Sequence, residues 1–96
     1  MHGVVRSYSG HGAKELFDIL EKNKTDVEEL IRGVKGFVNY SLVRTAGGGF
    51  SVSVCQDKAG TGESTRVAGE WVAKNAGKIG ASAPIVTEGT VILESK

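Results

Sequence analysis

Residues 36–57 read GFVNYSLVRTAGGGFSVSVCQD and carry the strongest structural signal in the chain. Two runs rich in β-branched and aromatic residues, Phe37–Thr45 and Phe50–Gln56, flank a glycine triplet at Gly47–Gly49, and neither run contains proline. Such runs are typical of β-strands, and glycine adopts the backbone conformations that a chain reversal requires. The stretch therefore predicts a β-hairpin that turns at the triplet.

The register of this hairpin can be predicted because successive side chains of a strand point to opposite faces. Aligning even positions with even positions gathers the most apolar residues on one face, where we expect helices to pack. Its members are Val38, Tyr40, Leu42, Phe50, Val52 and Val54. The other face, which we expect to meet a partner sheet or a ligand cavity, mixes apolar and small polar residues. Its members are Phe37, Asn39, Ser41, Val43, Ser51, Ser53 and Cys55.

Composition limits the class of protein. Residues 1–96 are enough for one domain, and 40% hydrophobic with 24% charged residues is ordinary for a globular chain. A net charge of +1 without a basic patch argues against a nucleic-acid partner. No segment approaches the roughly 20 apolar residues of a membrane span, and no signal peptide is recognisable. One cysteine excludes an intrachain disulfide, so we expect a cytoplasmic protein.

The N-terminal part predicts a strand and two helices. Val4–Tyr8 is strand-like, and apolar residues recur at helical spacing from Ala13 onward, which predicts a helix over residues 13–23. The pattern then breaks, and a second short helix is expected over residues 26–33. Thr25 and Glu28 have the spacing of a capping box at its start.

The C-terminal part predicts a long helix and a final strand. We expect a loop at Lys58–Gly62, with Thr61 as the N-cap of the helix. The apolar stripe of this helix consists of Val67, Ala68, Trp71, Val72, Ala76 and Ile79. A linker at Gly80–Pro84 leads to the strand Ile85–Leu93, in which Gly89 indicates a bulge or a close backbone approach.

The predicted order β-α-β-β-α-β fits a ferredoxin-like α+β fold, in which a four-stranded antiparallel sheet carries its helices on one face. The bare face would expose the side of the sheet that holds Phe37 and Val43. Because a monomer tolerates such a surface poorly, we expect a homodimer in which two sheets face each other.

The run GFVNYSLVRTAGGGFSVSV, residues 36–54, and the helical segment GEWVAKN, residues 69–75, resemble the dimeric α+β barrel superfamily. More narrowly, they are similar to antibiotic-biosynthesis-monooxygenase-like domains. The resemblance covers nearly the whole chain, and its most specific parts are the strand opening at residues 36–42 and the helix of Trp71. It implies a dimeric barrel, in a superfamily whose members include monooxygenases, haem degraders and isomerases.

Two branches of that superfamily imply different sites. The haem-degrading branch uses an Asn on the first strand, a Trp on the second long helix and a His beyond it. Here VVRSY holds no Asn and no His follows Trp71, so haem ligation of that kind is not expected. The cofactor-free, quinone-forming branch uses Asn, Trp, Tyr and Arg around a pocket and implies no cofactor. Residues of these types here are Asn39, Trp71, Tyr8 or Tyr40, and Arg6 or Arg44.

Six residues are candidates to line a small-molecule site: Asn39, Ser41, Ser53, Cys55, Trp71 and His11. His11 lies in a glycine loop before the first helix, where it is either a general base or a solvated loop residue. Cys55 lacks an evident base or positive neighbour, which favours a buried structural thiol. Trp71 either closes a cavity or packs in the core. No group of residues has the spacing of a metal site.

These observations leave three functions open. The first is a dimer that binds a small apolar or aromatic ligand between sheet and helices. The second is a cofactor-independent monooxygenase acting on an aromatic or quinone-like substrate through the substrate's own carbanion, with Trp71 and Asn39 orienting it. The third is a purely structural dimer, which is favoured if Phe37, Val43 and side chains of the last strand fill the space at the mixed face.

Overall fold

The computed structural model describes residues 1–95, which form one antiparallel sheet with helices packed on it. The strands are β1 (His2–Tyr8), β2 (Phe37–Thr45), β3 (Gly48–Cys55) and β4 (Ile85–Thr90). The helices are α1 (Ala13–Lys22), α2 (Lys24–Arg32) and α3 (Lys58–Ala76), and α3 continues into a 3₁₀ turn at Gly77–Ile79. The strand order is β2-β3-β1-β4 with every neighbouring pair antiparallel, so the ferredoxin-like α+β fold is confirmed.

The core lies between the helices and one face of the sheet. Its buried cluster consists of Leu16, Phe17, Leu20, Val27, Ile31 and Ala76. The sheet contributes Tyr8, Phe37, Tyr40 and Leu42, which pack against this cluster. The apolar residues that recur at helical spacing from Ala13 onward, Leu16, Phe17 and Leu20, therefore form the buried side of α1.

The break between α1 and α2 lies where the apolar pattern falters, but the capping-box prediction is wrong. Asn23 alone separates the two helices and is the residue before α2, so Thr25 already lies inside the first turn. The Asn23 amide donates to the carbonyl of Ile19 at 2.8 Å and terminates α1. No side-chain hydrogen bond caps α2.

α3 begins earlier than predicted, because Asp57 rather than Thr61 is its N-cap. The Asp57 carboxylate accepts a hydrogen bond from the backbone N–H of Gly60 at 2.9 Å. Lys58–Gly62 is therefore helical and not a loop. The helix can start against β3 because Gly60 has no side chain; a Cβ there would lie 2.7 Å from that of Cys55.

The hairpin is confirmed, but its predicted register is wrong by one residue. Thr45 pairs with Gly48, so the turn contains only Ala46 and Gly47, and even positions of β2 pair with odd positions of β3. The side chains of Tyr40 and Leu42 consequently share the helix-packed face with Ser51, Ser53 and Cys55. Phe50, Val52 and Val54, expected under the helices, belong to the other face. We call this other face the open face.

Close packing explains why Gly48 and Gly49 belong to β3 and only Gly47 of the glycine triplet lies in the turn. A Cβ at Gly49 would overlap the ring of Phe17 and the carbonyl oxygen of Val43. A Cβ at Gly48 would lie 2.5 Å from the carbonyl oxygen of Tyr8. Both glycines are therefore strand residues whose missing side chains let α1 and β1 approach β3.

The last strand ends at Thr90, three residues before the predicted end. Its pairing with β1 is unbroken through Gly89, so the bulge expected there is absent; the sheet's irregularity lies between Phe37 and Asn39 instead. That irregularity leaves Phe37 on the helix-packed face, contrary to prediction. The Val91 N–H donates to the carbonyl of Met1 at 3.0 Å, and the Glu94 carboxylate accepts from Asn39 at 3.0 Å.

Candidate active site: a buried arginine beside a small cavity

A small cavity lies between the helix-packed face of the sheet and the helices; we call it the inner cavity. Its volume is about 20 Å³, which is room for one water molecule. Aliphatic side chains of all three helices, together with Leu42 of β2, form most of its wall. Its other members are Arg6, Tyr8, Tyr40, Ser51 and Trp71.

Arg6 is the most unusual residue of this site, because it is only 2% exposed and has no carboxylate partner among the described residues. One guanidinium nitrogen donates to the Thr65 hydroxyl at 2.9 Å and another donates to the Ser53 hydroxyl at 3.3 Å. Both partners are neutral. Burying a cation without a counter-charge is costly, so this arrangement leaves a positive charge available to a ligand.

Ser51 adds an unsatisfied polar group to the same cavity. It pairs directly with Arg6 across β1 and β3 and is 2% exposed. Its hydroxyl oxygen makes no hydrogen bond of good geometry within residues 1–95, although the Tyr40 hydroxyl lies close enough to interact with it. Leaving a buried hydroxyl unpaired costs about 1–3 kcal/mol, so a ligand oxygen or a water at this point would be stabilised.

Two tyrosines lie near the guanidinium as neutral phenols. Burial raises the pKa of Tyr8, and the positive charge of Arg6 opposes the rise. Burial likewise raises the pKa of Tyr40, against the opposing effect of Arg6. At neutral pH both side chains therefore carry their proton and can donate a hydrogen bond. The Tyr8 ring also packs edge-on against Phe17, with centroids 6.0 Å apart.

Trp71 combines the two roles that the sequence left open. It is half-buried, lines the inner cavity and packs against the core cluster. Its neighbours on α3, Ala68 and Val72, line the cavity as well. The Trp71 side chain therefore packs in the core and closes the cavity at the same time.

The remaining candidates are divided between different places. Ser53 lies behind Arg6 and holds its guanidinium without lining the inner cavity. Cys55 is 1% exposed beneath Gly60, and burial followed by the charge of Asp57 raises the pKa of its thiol. Cys55 is thus not beside Asn39 or Ser41, as the predicted register implied.

Asn39, Ser41 and His11 lie away from the inner cavity. Asn39 and Ser41 are exposed on the open face, the side of the sheet that the alternation in β2 predicted for them, whereas the two-residue turn moves Ser53 and Cys55 to the helix-packed face. His11 is exposed in the loop before α1, where its backbone carbonyl accepts from the N–H of Ser82 at 3.1 Å. Asn39 and Trp71 therefore lie on opposite sides of the sheet.

Ser51 was not among the predicted residues, and Arg6 was named only as one of two arginines that the cofactor-free branch implies. The sequence did contain a signal for Arg6. In the strand VVRSY it lies two residues from both Val4 and Tyr8, so its side chain points to the same, inward face of the sheet. No comparable signal marked Ser51, whose side depends on the length of the turn. Within the described part of the chain, no cluster of three or more His, Cys, Asp or Glu residues could hold a metal ion.

None of the helices within residues 1–95 is long and apolar enough to cross a bilayer.

No family model matches the sequence, and no curated protein matches it. Solved structures do match, at low sequence identity. SnoaB, a cofactor-independent oxygenase from Streptomyces nogalater, is 18% identical with a TM-score of 0.66, covering 97% of this chain and 94% of that one. A variant of MhuD with two manganese protoporphyrin IX molecules per active site is 17% identical with a TM-score of 0.67, covering 99% and 97%.

A dimeric ferredoxin-like protein from an uncultured marine organism is similar as well. It is 11% identical with a TM-score of 0.63, and the match covers 99% of this chain and 89% of that one. These likenesses extend over nearly the full length of every chain compared. The protein therefore has the ferredoxin-like fold that these solved structures share.

Proposed function

We propose that this protein binds a small aromatic molecule whose acidic oxygen is received by Arg6 between the sheet and the helices. The observation that carries the proposal is the burial of the Arg6 guanidinium with only neutral hydroxyls as partners. A ligand anion supplies the missing counter-charge, and hydrogen bonds to a charged group contribute about 1.5–3 kcal/mol each.

The neighbouring groups suit such a ligand. Ser51 offers an unpaired hydroxyl, and Tyr8 and Tyr40 offer neutral phenols, so several polar groups converge on one point. Trp71 and the aliphatic side chains around them favour an apolar or aromatic body. A few convergent polar groups in an apolar surround are typical of small-molecule sites.

No cofactor is part of this proposal. No histidine, cysteine or methionine lines the inner cavity, so the usual haem ligands are missing from its wall. The two tyrosines that do line it have pKa values raised by burial, which disfavours the phenolate that an iron atom would bind. The ligand is therefore proposed to bind the protein alone.

The test is calorimetric titration with 2-hydroxy-1,4-naphthoquinone, an acidic quinone whose hydroxyl is ionised at neutral pH. We expect the wild type to bind it and Arg6→Met to bind at least about tenfold more weakly, the effect of one lost charge-assisted bond. Arg44→Met is the matched control, because it removes an exposed arginine that pairs with Asp18 and Glu21. Equal binding by the Arg6 and Arg44 variants would overturn the proposal.

A second candidate is a cofactor-independent monooxygenase, favoured by the same buried cation. Arg6 would stabilise the anion of the substrate, which is the form that reacts with oxygen. In such a step a ring CH₂ becomes a carbonyl, and the second atom of O₂ leaves as water. No carboxylate or imidazole lines the inner cavity to remove the proton. Ligand binding is therefore the first proposal.

Oxygen uptake separates the two candidates. With 1,8-dihydroxyanthrone as substrate, the monooxygenase predicts consumption of O₂ above the buffer rate, and loss of this rate in Arg6→Met. Uptake at the buffer rate, together with binding of the naphthoquinone, would leave a binding protein.

We also propose a homodimer located in the cytoplasm. The open face carries Val5, Phe50 and Val52, each half-buried, together with Val43 at 37% and Ile85 at 71% exposure. A second copy of the same face would cover this apolar surface, and one structure of the same fold is described as dimeric. The buried free thiol of Cys55 supports a reducing compartment.

A further inference from the structure

A second space adjoins Arg6 on the other side from the inner cavity. It is a groove of about 260 Å³ between α3 and the segment Gly80–Pro84, which connects the 3₁₀ turn to β4. We call it the strap groove. Arg6, Tyr8 and Val72 line both the inner cavity and the strap groove, so the two spaces share one wall.

The groove is open because its side chains are small. Its members from α3 and the segment Gly80–Pro84 include Gly69, Ala73, Ala81, Ser82, Ala83 and Pro84. The segment is held at its other side, since the Ser82 N–H donates to the carbonyl of His11 at 3.1 Å. Gly12 allows this approach, because a Cβ there would lie 2.9 Å from the Cα of Ala81.

Arg6 can be reached from the strap groove. Thr65, which accepts a hydrogen bond from one terminal nitrogen of Arg6, itself lines the groove. Thr65 and Ser53 accept from two of the five guanidinium N–H groups, and the neutral hydroxyl of Tyr40 lies beside the guanidinium as well. Among residues 1–95, Arg6 is also the only charged residue that lines the strap groove.

Size decides which space holds the body of a ligand. The inner cavity, at about 20 Å³, admits one water-sized group and no ring. The strap groove, at about 260 Å³, lies just below the ~300 Å³ at which pockets for drug-sized molecules begin.

We infer that the aromatic body of the ligand lies in the strap groove, with its acidic oxygen on Arg6, and that Gly69 sets the size of ring that enters. This inference rests on the proposed function and adds where the ligand lies, in the strap groove, and which residue limits its size, Gly69. The inner cavity then holds a water or a ligand oxygen beside Ser51. Access between α2 and α3, past Trp71, is the competing route.

Gly69 allows a clean test. No atom lies within 4 Å of a Cβ built at Gly69, so a larger side chain fits the fold and extends into free space. Gly62 on the same helix also has nothing within 4 Å, and it does not line the groove. Gly69→Phe and Gly62→Phe therefore make the same change to α3, but only one of them fills the groove.

The experiment is calorimetric titration of the wild type and both variants with 2-hydroxy-1,4-naphthoquinone. We expect Gly69→Phe to weaken binding at least about tenfold, which is the effect of leaving roughly two methylene groups of apolar ligand surface unburied. We expect Gly62→Phe to bind the ligand like the wild type. Ala73→Leu, which narrows the same groove, is expected to weaken binding too and replaces Gly69→Phe if that variant does not fold.

The outcomes separate the two proposals. Binding by the wild type that is equal in Gly69→Phe, Ala73→Leu and Gly62→Phe would overturn the groove and leave the proposed function standing. No binding by the wild type would overturn the proposed function and the groove with it. Equal weakening in Gly69→Phe and Gly62→Phe, with Ala73→Leu binding like the wild type, would assign the effect to the helix and also overturn the groove.

Discussion

At the scale of single residues, Arg6 is a group that folding alone does not explain. Its partners are the hydroxyls of Thr65 and Ser53, which do not neutralise its charge. Exchanging a buried ion pair for apolar residues of similar volume is often neutral or stabilising, and a buried charge without a counter-charge is more costly still. We interpret this cost as a sign of function.

The first prediction is that Arg6→Met stabilises the protein while it weakens ligand binding. We expect the free energy of unfolding to rise by about 1–4 kcal/mol, since the uncompensated charge is removed. Chemical denaturation of the wild type and the variant measures this. A large loss of stability would mean that Arg6 is a structural residue.

The second prediction concerns Gly49, where a side chain would overlap the ring of Phe17 and the carbonyl of Val43. We expect Gly49→Ala to destabilise the protein by roughly 1–3 kcal/mol, because the overlap forces α1 or β2 to shift. Gly47→Ala is the control: no atom lies within 4 Å of a Cβ there, and its φ is not positive. Similar unfolding curves for the two variants would contradict this role of Gly49.

At the scale of elements, local pattern predicted which elements form but not where each begins. Helical periodicity identified α1, α2 and α3, and β-rich runs identified the strands. The start of α3 was predicted from Thr61, yet Asp57 caps it four residues earlier. Thr61 is instead buried, with its hydroxyl 2.8 Å from the Nδ1 of His2. Contacts with a distant strand decided the role of this side chain.

The third prediction is that Asp57→Ala destabilises the protein by about 1 kcal/mol, because the N–H of Gly60 loses its acceptor. Asp26→Ala is a suitable control, since Asp26 is an exposed acid in the first turn of α2 and caps nothing. Thermal unfolding of both variants measures the difference. Equal melting temperatures would exclude a capping role for Asp57.

The candidate site was predictable only in part, for the same reason. Trp71 follows from the stripe of α3, and Arg6 from the alternation in β1. Ser51 could not be assigned, because its side depends on whether the turn has an even or an odd number of residues. Matching apolar with apolar residues favoured an odd number, and the close approach of Phe17 to Gly49 is not visible in the sequence pattern.

At the scale of the whole molecule, the sheet has one face covered by helices and one open face. The helix-packed face holds Arg6 and Ser51, whereas the apolar side chains of β3 point outward. The usual distribution is partly inverted, with polar groups inside and valines outside. The ligand site that we propose on one face and the association surface that we propose on the other would explain both departures.

The fourth prediction tests the association surface. We expect the wild type to sediment as a dimer, and Val43→Lys to shift it toward monomer, because a lysine in the middle of an apolar contact is left unpaired. Ala59→Lys adds the same charge to an exposed position at the start of α3 and serves as the control. Analytical ultracentrifugation distinguishes the species; a monomeric wild type at all concentrations would rule out the dimer.

The two-residue turn at Ala46–Gly47 also limits how this hairpin can diverge in evolution. Inserting or deleting one residue there would exchange the two faces of β2 relative to β3, sending Tyr40 and Leu42 outward and Asn39 and Ser41 inward. A change of two residues keeps every side chain on its own face. The loop can therefore lengthen by even steps, and a lineage that gains a single residue would lose core and cavity together.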